Sequence, residues 1–203
     1  MTAADYARAR RTLMRRDPVL GAVIKLHGPC GLAESQHTDP FKALVSAIVS
    51  QQLSVRAAAT IQARFEALFP SFPTPARVME VSDEQLRAVG LSRMKVSFVR
   101  DLCGRVMDGS LRLHDLDALD DEAVIAELIA VKGIGRWTAE MFLMFRLHRP
   151  DVLPVGDLGI VRGFQKVYRW KKDPSPAKMT RTAEAWRPYR SIACWYLWEH
   201  LEK

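Results

Sequence analysis

The chain has few cysteines and no long apolar run. Its apolar segments are short and interrupted by charge, so none approaches the roughly 20 residues that cross a bilayer. Only Cys30, Cys103 and Cys194 are present. An odd number of widely spaced cysteines argues against a disulfide framework and fits a reducing compartment. We therefore expect a protein of a reducing compartment such as the cytoplasm, with no membrane partner.

Zinc-binding patterns are also missing. The five histidines occur singly and lack the i, i+4 spacing of a helical zinc site, and three cysteines cannot form a four-cysteine site. Positive charge is in excess, with 30 lysines and arginines against 23 acidic residues, a formal net charge of +7. A positive surface concentrates phosphates and releases their counterions on binding. The composition therefore favours an anionic partner such as nucleic acid.

Helix start signals recur along the chain. Asp17-Pro18 and Asp39-Pro40 each place a capping carboxylate before a proline at the first helical position. Hydroxyl caps for later helices are provided by Ser54, Ser82 and Ser92. No segment shows convincing period-two alternation. These signals predict an all-α fold of about ten helices. We expect a single domain over residues 1–203 that forms a compact two-lobed bundle, with helices within residues 3–27 completing one lobe.

Breaks between these helices are marked by proline and charge. Pro70, Pro73 and Pro75 indicate a turn after the helix that Ser54 begins. Residues 109–121 and 171–177 are expected to be loops.

Residues 128–145 carry the strongest motif, LIAVKGIGRWTAEMFLMF. Two apolar helices flank a tight turn in which Gly133 can adopt positive φ. The missing side chains of Gly133 and Gly135 would let a phosphate approach amides at the start of the second helix. Ile134 is expected to plug the hairpin core. An ordinary helix-helix turn with a glycine cap is the alternative.

This stretch resembles the helix-hairpin-helix of the base-excision DNA glycosylases, whose signature continues through a proline-rich loop to an aspartate. Residues 152–162, VLPVGDLGIVR, are similar to that aspartate segment. Residues 41–65 and 186–191 are similar to the alkylated-base branch, 3-methyladenine DNA glycosylase II. The extra N-terminal β-rich domain of longer bacterial relatives is not expected here.

The resemblance implies an enzyme that flips a damaged base out of double-stranded DNA and hydrolyses its N-glycosidic bond. Asp157 takes the place of the catalytic carboxylate, which stabilises positive charge on the sugar. On sequence alone, Asp157 could also be only a helix N-cap. Relatives that nick the strand carry a lysine where this chain has Trp137, so the resemblance implies a monofunctional enzyme that leaves an abasic site.

The base pocket implied by the resemblance is aromatic, which suits cationic purines such as 3-methyladenine and 7-methylguanine. For Trp198 a core position is an equal alternative. The expected pocket residues are Trp137, Trp198, Met141, Leu158 and Tyr189.

The matching wedge position, which would fill the gap left by the flipped base, is Gln52 or its neighbour Leu53. The other expected DNA contacts are Lys132, Gly133, Ile134, Gly135, Arg136 and Thr138. No cofactor is expected beyond a structural Na⁺ or K⁺ held by the backbone of Lys132, Gly133 and Gly135, and the chain is expected to be monomeric. The alternatives are a non-catalytic lesion-binding protein, a bifunctional glycosylase/lyase, a glycosylase with another lesion preference, and a helical scaffold.

Overall fold

The computed structural model describes residues 1–34 and 39–202, and within these residues it contains helices and no strand. The all-α prediction is therefore confirmed. The described α-helices are α1 (Ala3–Arg16), α2 (Pro18–His27), α3 (Pro40–Ser50), α4 (Val55–Glu66), α5 (Pro75–Glu80), α6 (Asp83–Ala88), α7 (Arg93–Met107), α8 (Asp121–Ile129), α9 (Arg136–Phe145), α10 (Leu158–Tyr168), α11 (Pro176–Ala183) and α12 (Arg190–Glu202). Short 3₁₀ turns occur at Gly31–Glu34, Leu116–Ala118 and Glu184–Trp186. No helix among the described residues has the length and apolar character that crossing a bilayer requires.

The predicted aspartate caps are confirmed. The Asp17 carboxylate accepts a hydrogen bond from the Leu20 N–H at 3.0 Å, and the Asp39 carboxylate accepts one from the Lys42 N–H at 2.7 Å. A proline follows each cap as the first helical residue, where its missing N–H costs nothing.

Two helices were not predicted, and both begin at a proline. Pro75 was expected in a turn, but it is the first residue of α5, and Thr74 caps that helix. Pro176 was expected in a loop, but it opens α11 behind the Ser175 cap. Both errors have one physical reason: proline disrupts a helix interior but is compatible with its first turn.

The chain forms two compact units. Unit 1 consists of Met1–Gln36 together with Leu143–Lys203, so it combines both ends of the sequence. In its described part, α12 packs against α10, α1 and α2. The buried Asp17 carboxylate accepts hydrogen bonds from the Trp186 indole and the Tyr168 hydroxyl, which ties the start of α2 to the aromatic core of this unit.

Unit 2 spans His37–Phe142. In its described part, α7 contacts α3, α5 and α6, and α3 packs against α4. Fully buried apolar side chains form the core of this unit, among them Leu44, Ile48, Phe65, Leu86 and Leu102. Helix α7 therefore packs against three of the helices that precede it in the chain.

Candidate active site and nucleic-acid interface

Asp157 lies at the start of α10 and is partly exposed. Its Oδ1 accepts a hydrogen bond from the Ile160 N–H at 2.7 Å and a second one from the Trp198 indole Nε1 at 2.9 Å. Asp157 is therefore a helix N-cap, which was one of the two interpretations of the sequence. The second bond goes beyond capping, because it fixes the carboxylate against a side chain of α12.

Trp198 is held in place on two sides. Its ring stacks on Phe145, with the centroids 5.9 Å apart and the planes inclined by 24°. A Cβ added to Gly159 would lie 2.8 Å from Trp198 Cδ1 and 3.0 Å from Asp157 Oδ1. Glycine at position 159 therefore allows the indole to approach the carboxylate.

The other expected pocket residues are divided between the two units. Leu158, in unit 1, adjoins Asp157 and is 59% exposed. Tyr189, also in unit 1, directly precedes α12 and is half-buried. In unit 2, α9 carries Trp137, which is 50% exposed, and the half-buried Met141. Within unit 1, the expected pocket residue Trp198 hydrogen-bonds directly to Asp157.

The hairpin between α8 and α9 uses its two glycines differently. Gly133 has φ +80°, and a Cβ there would lie 2.1 Å from Phe98 Cδ2, so the fold itself requires glycine. Around Gly135, by contrast, no atom would come within 4 Å of an added Cβ. Ile134 is buried between them, as expected for a plug of the hairpin core.

Asp101 on α7 anchors the start of this turn. Its carboxylate accepts a hydrogen bond from the Lys132 N–H at 2.9 Å and one from Arg105 Nε at 2.9 Å. Desolvation opposes the charged form, but these hydrogen bonds and the two nearby cations outweigh it and hold the pKa of Asp101 below its usual value. The Lys132 Nζ lies 3.9 Å from the same carboxylate and its side chain remains largely exposed.

Of two further expected DNA contacts in unit 2, Arg136 is paired with carboxylates and Thr138 is buried. The Arg136 guanidinium donates to both oxygens of Glu122, at 2.6 and 3.1 Å, and to Glu140 at 3.2 Å. Thr138 is only 7% exposed. A phosphate would therefore compete with carboxylates for Arg136.

The wedge loop, which we define as residues 51–54, follows α3. Gln52 is exposed and has φ +56°, in the left-handed region that side-chain-bearing residues rarely adopt. Leu53, beside it, is also exposed. The Gln51 Nε2 donates to the Gly133 carbonyl at 2.8 Å, and the Lys95 Nζ donates to the carbonyls of Val49 and Gln51 at 2.8 Å each.

Neither Lys95 nor Gln51 was identified as a site residue from the sequence. No local pattern marks these contacts, because Gln51 and Gly133 are 82 positions apart. The Gly133 carbonyl accepts from Gln51 and the Gly135 carbonyl accepts from the Ala139 N–H. These partners compete with any cation for the same oxygens, so the expected Na⁺ or K⁺ site stays a prediction.

Comparisons with known proteins identify the family of this chain. The model of the family described as HhH-GPD superfamily base excision DNA repair protein matches residues 45–188. DNA-3-methyladenine glycosylase 1 of Schizosaccharomyces pombe is 35% identical over 164 residues, which cover 79% of this chain and 72% of that protein.

Two solved structures are similar over nearly the whole chain. A 3-methyladenine DNA glycosylase of Schizosaccharomyces pombe in complex with abasic DNA has a TM-score of 0.86 at 32% identity, with 97% of each chain covered. A DNA-3-methyladenine glycosidase of Bacillus halodurans has a TM-score of 0.86 at 40% identity, covering 94% of this chain and 88% of that one. The chain thus belongs to the HhH-GPD superfamily of base excision DNA repair proteins.

Proposed function

We propose that the chain is a monofunctional DNA glycosylase that excises alkylated purines such as 3-methyladenine and 7-methylguanine from double-stranded DNA. The observation that carries the proposal is the partly exposed carboxylate of Asp157, fixed by the Ile160 N–H and the Trp198 indole. The substrate class follows from relatives that are named DNA-3-methyladenine glycosylases.

The chemistry that we propose needs a fixed negative charge beside the sugar. As the bond between C1′ and the base nitrogen breaks, the bonding electrons leave with the base and positive charge develops on the sugar. An alkylated purine is already cationic, so it departs as a neutral base. The Asp157 carboxylate stabilises the sugar cation, water adds at C1′ and loses a proton, and an abasic site remains.

The monofunctional assignment rests on Trp137. Cleavage of the strand by a lyase requires an amine that forms a Schiff base with the sugar, and an indole cannot do so. Lys132 lies before the turn, and its amine faces Asp101 at 3.9 Å. We therefore expect no covalent adduct when the protein acts on damaged DNA in the presence of borohydride.

For DNA binding, we propose that the hairpin amides near Gly135 contact a phosphate while the wedge loop fills the gap left by the flipped nucleotide. The space around Gly135 supports this role, since no atom beyond its chain neighbours lies within 4 Å of a Cβ built there. Gln52 is the proposed wedge, with Leu53 beside it.

The test is identification of the free bases released from randomly methylated duplex DNA by the wild type and by Asp157→Asn. Asparagine caps helices as well as aspartate, so the change removes charge and keeps α10 intact. We expect base release to fall by about two to three orders of magnitude.

Asp120→Asn is the matched control, because Asp120 caps α8 through the same contact, to the Ala123 N–H at 2.8 Å. We expect it to act like the wild type. Base release that persists in Asp157→Asn would refute the catalytic role of the carboxylate. A wild type that binds lesions and releases no base would favour the non-catalytic alternative.

A further inference from the structure

We propose that Lys95 and Gln51 are positioning residues that hold the wedge loop against the hairpin, so that the wedge and the phosphate-binding turn meet DNA as one rigid surface. This inference deepens the proposed function and rests on it. It assigns a role in lesion recognition to two side chains that need not touch DNA themselves.

Lys95 is the first link. It projects from α7, and its ammonium group donates to two carbonyls at 2.8 Å, that of Val49 in the last turn of α3 and that of Gln51 just beyond it. Carbonyls at a helix C-terminus lack helical partners and carry partial negative charge, so a cation is well suited to this place. Desolvation lowers the pKa of Lys95. One side chain therefore fixes both the end of α3 and the start of the wedge loop.

Gln51 is the second link. Its carbonyl is held by Lys95, and its side-chain Nε2 donates to the Gly133 carbonyl at 2.8 Å. Gly133 packs against α7, because the Phe98 ring occupies the space that a side chain at position 133 would need. The wedge loop and the hairpin are thus fixed to the same helix and to each other.

Gln52 adopts an unfavourable backbone conformation directly after the two contacts of Gln51. Its φ of +56° costs free energy for a residue with a side chain, and such conformations persist where the surroundings over-determine them. The two links on Gln51 lie immediately before it, and the Leu53 N–H closes the turn onto the Ser50 carbonyl at 3.2 Å. A wedge that is already ordered loses less conformational entropy when it enters the base stack.

The experiment uses a duplex that carries a tetrahydrofuran abasic-site analogue next to 2-aminopurine, and the same duplex without the analogue. Affinity for each duplex is measured by anisotropy, and 2-aminopurine fluorescence reports opening of the stack. For Lys95→Met and Gln51→Leu, we expect affinity for the intact duplex within about twofold of wild type. Their preference for the abasic duplex should fall by about tenfold, together with the fluorescence increase.

Two further variants separate positioning from charge and from general damage. Lys95→Arg keeps two donors and should retain most of the preference, whereas Arg93→Met removes an exposed charge from the same helix and should behave like the wild type. The inference is overturned if Lys95→Met keeps the full preference, if its affinities for both duplexes fall equally, or if the wild type shows no preference. The probe has no base to release, so selective binding without glycosylase activity would refute the proposed function and still support the positioning role.

Discussion

The indole Nε1 of Trp198 and the Oδ1 of Asp157 are 2.9 Å apart, and no side chain fits at position 159 while that contact exists. Apart from its chain neighbours, nothing lies within 4 Å of a Cβ built at Gly156, the residue before Asp157. Both glycines lie within two residues of Asp157, Gly156 in the turn before α10 and Gly159 inside that helix, and the indole closely approaches only Gly159.

Gly159→Ala is expected to reduce base release. The added methyl group must displace an indole that is stacked on Phe145, so the carboxylate loses its indole donor. Overpacking costs about 1–3 kcal/mol of stability. We expect a drop of about tenfold in the single-turnover rate. Gly156→Ala provides the control and should keep the wild-type rate. Equal rates for both variants would show that the contact between Trp198 and Asp157 is dispensable.

Substitution of Gly133 should lower the stability of the protein, whereas substitution of Gly135 should weaken DNA binding. Gly133→Ala places a methyl group against Phe98 at positive φ, so the free energy of unfolding should fall by about 2 kcal/mol or more. Gly135→Ala should leave stability within about 0.5 kcal/mol of wild type and weaken DNA binding, because the methyl group occupies the space that a phosphate needs. Urea denaturation measures the free energy of unfolding, and anisotropy titrations measure the affinity for DNA. Unchanged DNA affinity in Gly135→Ala would argue against the phosphate contact.

Gln52→Gly should move stability and activity in opposite directions. Glycine tolerates φ +56° without strain, which outweighs its greater entropy loss, so we expect a gain of up to about 1 kcal/mol. Loss of the wedge side chain should lower base release from fully paired DNA. Gln52→Ala removes the same side chain without relieving the strain, so it should lose activity and gain no stability. Full activity in both variants would transfer the wedge role to Leu53.

The stability contributed by Asp101 should depend on pH. Its pKa is lowered in the folded protein, so the contribution is fully present above the unfolded value near 4 and is lost as the pH falls through the lower folded value. Asp101→Asn should therefore be less stable than wild type by about 1 kcal/mol at pH 7, with the difference narrowing towards pH 3. Urea denaturation of both proteins between pH 7 and pH 3 measures this difference in the free energy of unfolding. A difference that does not change with pH would mean that the charge of Asp101 is unimportant.

The sequence predicted correctly those features that depend only on residues close together in the chain. The caps at Asp17 and Asp39, and the role of Ile134, depend on residues within one or two turns of the chain, and the structure has them as predicted. The start of α5 escaped prediction although Thr74 and Pro75 carry the same kind of signal, because a proline cluster was interpreted as a turn.

Contacts between distant residues could not be derived from the sequence. The Trp198 indole meets Asp157 across 41 positions, and the Lys95 ammonium meets the Gln51 carbonyl across 44. Such pairings depend on how helices pack, which no local pattern encodes. The sequence therefore suggested Asp157 and the glycines through a resemblance, and gave no sign of the residues that support them.

The discontinuity of unit 1 affects the order in which the protein can be completed on the ribosome. All of unit 2, including the hairpin and the wedge loop, is translated before α10 and α12 exist, whereas α1 and α2 must wait for these partners. The Asp157 carboxylate acquires its indole donor only when synthesis has reached Trp198. A nascent chain thus contains the proposed nucleic-acid contacts of unit 2 well before the proposed catalytic carboxylate has its indole donor.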